Sequence, residues 1–130
     1  MDSKKKILFV DGDAALLALY AEEFRDEGYE VLIARRADKA LSLYRENSPQ
    51  AVVVDLHLPD MEGMDFLNAL FLLDNRVSVI IYDAYPEPGD IWTPRVGGPI
   101  LKSSDFTQLK DKIKEILSDY VKKMVRQRSF

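Results

Sequence analysis

The chain has 130 residues, 47% hydrophobic and 31% charged, which suits one globular domain with a buried core and excludes a disordered chain or a second domain of ordinary size. Its 18 Lys and Arg against 22 Asp and Glu give a formal charge of −4, so direct nucleic-acid binding by bulk electrostatics is not expected. It has no cysteine, which removes disulfides, thiol nucleophiles and thiolate metal sites.

No apolar run reaches the roughly 20 residues of a membrane span, and the charged N terminus is no secretory signal, so no membrane and a cytoplasmic location are expected. Basic residues gather at both ends, in Lys4, Lys5 and Lys6 and in Lys122, Lys123, Arg126 and Arg128, and read as solvated termini. One domain over 1–130, with a core over about 5–124, is expected. Residues 122–130 are open to reading as a native end or as the start of an output domain.

In chain order, apolar runs at 7–10, 31–34, 51–54 and 77–82, with a weaker one at 100–101, predict five strands. The first, third and fourth are nearly continuous rather than alternating, as expected when both faces of a parallel strand are covered. Helical spacing lies between them. Leu16, Leu17, Tyr20 and Phe24 mark one face, closed by Gly28; Ala37, Ala40, Leu41 and Tyr44 mark a second, stopped near Ser48 and Pro49. Phe66, Leu67, Leu70 and Leu73 mark a third. Leu109, Ile113, Ile116, Leu117, Tyr120, Val121 and Met124 form the clearest stripe.

Strand–helix alternation predicts right-handed βαβ units and a three-layer, flavodoxin-like α/β fold with strand order 2-1-3-4-5. Its ligand crevice lies at the carboxyl ends of strands one and three, where the order reverses. Those ends are acidic: Asp11 (with Gly12 and Asp13 after it) and Asp55, while Lys102 closes strand five at the same rim. Two carboxylates, a hard cation such as Mg²⁺ and one ammonium group are the parts of a phosphoryl-transfer site.

At this point the sequence resembles the receiver domain of two-component response regulators. The most specific stretch is Val53-Val54-Asp55-Leu56-His57-Leu58-Pro59-Asp60-Met61-Glu62-Gly63, which is similar to the phosphoacceptor strand and its following loop; Phe9-Val10-Asp11 and Ile100-Leu101-Lys102 resemble the first and fifth strand ends. The resemblance implies that Asp55 receives a phosphoryl group from a histidine kinase or phosphotransfer protein and signals to a downstream protein target by conformational change. It implies that Asp11, Asp55 and the backbone carbonyl of His57 hold Mg²⁺ and that Lys102 binds the phosphoryl oxygens. It implies a signalling module rather than a turnover enzyme.

Several positions depart from the family pattern. Gly12 stands where a second metal-binding acid is usual, so weak Mg²⁺ binding is expected; Asp13 reads as the cap of the following helix. Asp83 stands where a hydroxyl usually donates to the phosphoryl group. Two like charges about 4 Å apart at an effective dielectric near 20 repel by about 4 kcal/mol. Three placements of Asp83 are open: paired with Lys102, replacing the ligand missing at Gly12 beside Asp11 and Asp55, or turned to solvent.

Pro99 stands where a switching aromatic is usual. Prolines and glycines between Asp83 and Lys102 oppose a full fourth helix and predict a loop, with at most a helical turn near 90–92. Tyr85 and Trp92 there read as edge packing or as a partner patch. The family's dimer and output surface is altered, leaving a homodimer open. His57, the one histidine, reads as a surface loop residue.

Two alternatives compete. A pseudo-receiver would bind a protein partner without phosphorylation. A haloacid-dehalogenase-like phosphatase would use Asp11 as nucleophile, since residues 7–13 also resemble that family's first motif.

Overall fold

In the computed structural model, residues 4–84 and 96–127 are described. The elements are β1 (Lys6–Val10), α1 (Ala14–Asp26), β2 (Glu30–Ala34), α2 (Ala37–Asn47), β3 (Ala51–Val54), α3 (Gly63–Leu73), β4 (Val79–Asp83), β5 (Val96–Leu101) and α4 (Thr107–Gln127). The five strands form one parallel sheet in the order β2-β1-β3-β4-β5.

The continuous apolar runs follow from burial on both faces. Successive side chains of a strand point to opposite sides, so Ile7, Phe9, Val53 and Ile80 pack under α1 and α4. Leu8, Val10, Val52, Val54, Val79 and Ile81 pack under α2 and α3 on the other side. Most of the expected helix faces are buried: Leu17, Tyr20 and Phe24 on α1, Ala37, Ala40 and Tyr44 on α2, and Phe66, Leu67 and Leu70 on α3, while Leu16 and Leu41 are half-buried and Leu73, at the end of α3, is exposed. No helix among the described residues is long and apolar enough to cross a membrane.

Helix ends obey local chemistry. The Asp13 carboxylate accepts from the amides of Ala15 and Leu16, capping α1 as expected. Gly28, at φ +96°, follows the C terminus of α1 in a left-handed conformation that costs glycine little. Arg36 precedes α2 without a side-chain cap; Asp60, from the loop after β3, supplies it instead, accepting from the amides of Ala37 at 2.8 Å and Asp38 at 3.0 Å.

Strand β5 differs from expectation. The weak run at 100–101 is the end of a six-residue strand that includes Gly97, Gly98 and Pro99. The Pro/Gly density that opposed a helix is tolerated here because β5 is an edge strand, where a missing N–H need not break a ladder. The pairing Ile80 with Gly97 and then Tyr82 with Ile100 places an extra residue on β5, a bulge at Gly98 and Pro99. The expected turn near 90–92, and Tyr85 and Trp92, lie outside the described residues.

Candidate functional site

Backbone hydrogen bonds bring four strand ends to one rim. The Asp11 amide donates to the Ala34 carbonyl, the Asp55 amide to the Val10 carbonyl and the Lys102 amide to the Asp83 carbonyl. Each continues the ladder one residue past its strand. The side chains of residues 11, 55, 83 and 102 therefore converge on the crevice between β1 and β3.

Three carboxylates lie there almost without solvent: Asp11, Asp55 and Asp83 are 4%, 8% and 3% exposed. Buried charge at this density requires cations or hydrogen-bond donors. Lys102 supplies the nearest charge, its Nζ lying 2.6 Å from Asp11 Oδ2 and 2.5 Å from Asp55 Oδ2. Burial alone would push the Lys102 ammonium down; the hydrogen bonds to Asp11 and Asp55 outweigh it and raise its pKa. The other carboxylate oxygens meet backbone amides. Asp11 Oδ1 accepts from Asp13 N–H at 2.9 Å, and Asp55 Oδ1 from His57 N–H at 2.8 Å.

The placement of Asp83 corrects two of its three sequence expectations. Lys102 gives its ammonium to Asp11 and Asp55 rather than to Asp83, because the lysine spans the gap between those two strand ends. Nor does Asp83 turn to solvent. Its Oδ1 lies 3.4 Å from Nε2 of His57, and ligand atoms of Asp55, His57 and Asp83 all lie within 4.8 Å of one another.

The sequence points to the His57 carbonyl as a metal ligand but gives its side chain no role beyond that of a surface loop residue. Its ring is indeed 65% exposed, yet it reaches Asp83. The signal available was its spacing: two residues past Asp55, it sits where the chain turns back over the crevice. An isolated bridge between His57 and Glu62 holds that turn. Gly63 completes it, since a Cβ there would stand 2.5 Å from the Leu56 side chain. Sequence reasoning also missed Asp60, whose α2 cap ties this loop to a neighbouring helix.

The oxygen donors fit a hard cation. The carboxylates of Asp11 and Asp55 share the rim with the carbonyl of His57, and a Cβ at Gly12 would stand 3.8 Å from that carbonyl oxygen. Position 12 thus faces the same space and leaves it open. Two carboxylates, a carbonyl and water match what Mg²⁺ takes.

A groove of about 590 Å³ flanks Lys102, lined by Leu16, Leu19, Tyr20, Tyr82 and Phe106 among others. The Tyr20 hydroxyl is buried with no hydrogen-bond partner among the described residues. Its pKa is raised, first by burial and then by the negative charge of Asp11.

The family model of the response regulator receiver domain matches residues 7–114. Among curated proteins, sporulation initiation phosphotransferase F of Bacillus subtilis is 30% identical over 116 residues, covering 87% of this chain and 94% of that protein. The chain spans about half the length of another relative, the transcriptional regulatory protein PrrA of Mycobacterium tuberculosis, to which it is 31% identical. Among solved structures, a CheY-like receiver domain protein from Methanospirillum hungatei superposes with TM-score 0.81 at 30% identity, covering 93% of this chain and 99% of that one. TrrA of Thermotoga maritima, in complex with Mg²⁺ and BeF, superposes with TM-score 0.78 at 27% identity over 86% of this chain and 98% of that one; it has also been solved with the histidine kinase ThkA.

Proposed function

The chain belongs to the response regulator receiver domain family, and from that premise we propose that Asp55 is the residue on which it accepts a phosphoryl group. A carboxylate oxygen of Asp55 attacks phosphorus; the bond from phosphorus to the donor's imidazole nitrogen breaks, and that nitrogen keeps the electron pair. The donor is a histidine kinase or phosphotransfer protein, and the readout a downstream protein target, in keeping with the kinase complex of TrrA. The phosphatase reading built on Asp11 falls away, because the family match spans Asp11, Asp55 and Lys102 together.

The observation that supports this reading best is the ion pair of Lys102 with both Asp11 and Asp55. It places a cation where negative charge accumulates as an anion attacks a phosphoryl group. The His57 amide fixes the orientation of the Asp55 carboxylate. Asp11, Asp55 and the His57 carbonyl would hold Mg²⁺, which when bound neutralises charge on the phosphoryl oxygens. The site lies at a strand-end rim, where the kinase's donor domain would dock, and a cytoplasmic location is in keeping with this reading.

Asp83 favours a second reading. Its buried carboxylate beside Asp55 opposes an added phosphoryl charge, as expected of a pseudo-receiver that binds its partner without phosphorylation. One experiment separates the two. Treated with acetyl phosphate and Mg²⁺, the chain is expected to gain the mass of one phosphoryl group, and the Asp55→Asn variant to gain none. A folded wild-type chain that stays unmodified would establish the pseudo-receiver.

A further inference from the structure

We propose that His57 and Asp83, together with Asp55, form a binding site for a borderline divalent transition metal of the Zn²⁺ class, and that filling it withdraws Asp55 from phosphoryl acceptance. The second half rests on the phosphoacceptor role of Asp55 proposed above; the first does not.

Ligand chemistry separates this site from the Mg²⁺ position. The Mg²⁺ donors are all oxygens and lie toward Asp11 and Gly12, whereas this group adds an imidazole nitrogen on the Asp83 side. Mg²⁺ favours oxygen, while imidazole joined to carboxylates suits Zn²⁺ and its neighbours. Among the described residues this is the one such mixed cluster. Across the whole sequence, one histidine and no cysteine leave no second imidazole and no thiolate to favour such a metal elsewhere.

Geometry supports the assignment. Ligands bound tetrahedrally to zinc at roughly 2.0–2.1 Å stand about 3.3 Å from each other. His57 Nε2 and Asp83 Oδ1 are 3.4 Å apart, longer than a usual hydrogen bond and close to that edge. The third ligand atom, on Asp55, lies within 4.8 Å of both, so a small side-chain closure completes a three-ligand site with one open position. The Asp55 carboxylate is already held by the His57 amide and Lys102, and Asp83 is 3% exposed. Preset, largely desolvated carboxylates of this kind orient well toward an incoming cation. Whereas Mg²⁺ held toward Asp11 leaves an Asp55 oxygen free to attack, zinc on the Asp83 side would engage Asp55 together with His57 and Asp83 and crowd the approach of phosphorus to it.

The test is a ZnCl₂ titration of the 130-residue chain, read by calorimetry and by the NMR resonances of its single imidazole. Zinc is expected to shift those resonances strongly, while millimolar Mg²⁺, which would meet His57 only through its carbonyl, shifts them far less. His57→Ala and Asp83→Asn are each expected to weaken zinc binding by about tenfold or more. The exposed His57 ring can be removed without loss of core, and Asp83→Asn keeps the shape of the side chain it replaces. An imidazole indifferent to zinc, or equal zinc affinity in His57→Ala, overturns the site.

In a second arm with acetyl phosphate and Mg²⁺, zinc should slow labelling of the wild-type chain relative to its zinc-free rate. The same zinc concentration should leave His57→Ala at its own zinc-free rate. Zinc binding without slowed labelling overturns the regulatory half. A chain that acetyl phosphate never labels defeats the phosphoacceptor reading and, with it, that half, while calorimetry and NMR still decide the metal site.

Discussion

The ammonium of Lys102 donates to the Asp55 carboxylate at 2.5 Å across the mouth of the crevice. It also reaches Asp11, so one cation offsets two buried acids. Removing one partner of such a cluster leaves charge buried without compensation. Lys102→Met is expected to lower stability by about 3 kcal/mol near neutral pH, read by urea denaturation. Because the Lys102 pKa is raised in the folded chain, its contribution is complete below 10.5 and is lost as pH rises through the higher folded value. The wild-type chain should therefore lose stability more steeply in alkali than the variant does.

Gly12→Asp should tighten Mg²⁺ binding by about tenfold, equivalent to about 1.4 kcal/mol. Position 12 has room: a Cβ would meet nothing nearer than 3.8 Å. The added carboxylate faces the His57 carbonyl and supplies a third acid to a hard cation. Calorimetric titration of the variant against the wild-type chain checks it.

Asp83→Thr should increase the fraction labelled by acetyl phosphate. The substitution removes a buried carboxylate near Asp55 and provides a hydroxyl that donates. Relief of even half of a repulsion of about 4 kcal/mol changes the phosphorylated equilibrium by more than about tenfold. Intact-mass measurement over time gives both extent and lifetime.

Asp60→Ala should lower the thermal midpoint at neutral pH by uncapping α2. The amides of Ala37 and Asp38 lose their acceptor, and Arg36 offers no cap of its own. Those amides, the Ala37 hydrogen bond first, hold the Asp60 pKa below 3.8 in the folded chain. Its contribution is thus present above 3.8 and fades as pH falls through the lower folded value. The gap between wild-type and variant midpoints should close in acid.

Tyr20→Phe should stabilise the chain by about 1 kcal/mol, since it deletes a buried hydroxyl that has no partner among the described residues and keeps the ring. The ring stacks on Phe9 at a centroid separation of 4.9 Å, and that packing survives. Burial, then Asp11, raises the tyrosine pKa. Ionisation in the unfolded chain therefore erodes stability above pH 10, and the phenylalanine variant should lose less there.

Residues 7–10 and 51–54 illustrate how the architecture could be read before any coordinates. Uninterrupted apolar runs between helical stripes demand a parallel sheet covered on both sides, and the acids ending them then fall at the switch point. The strand at 96–101 was less legible. Its glycines and proline argue against regular structure unless the strand is known to lie at an edge, which sequence spacing does not reveal.

The primary structure by itself determined which groups reach the rim: Asp11, Asp55, Asp83 and Lys102 each end a strand or follow one directly, and backbone direction carries them to the same side. Only the tertiary structure decided how they pair. Lys102 chose Asp11 and Asp55, Asp83 met His57, and Asp60 crossed to cap α2. Ion pairs and hydrogen bonds depend on separations of a few ångströms between residues far apart in the chain. Those separations exist only after the sheet has assembled.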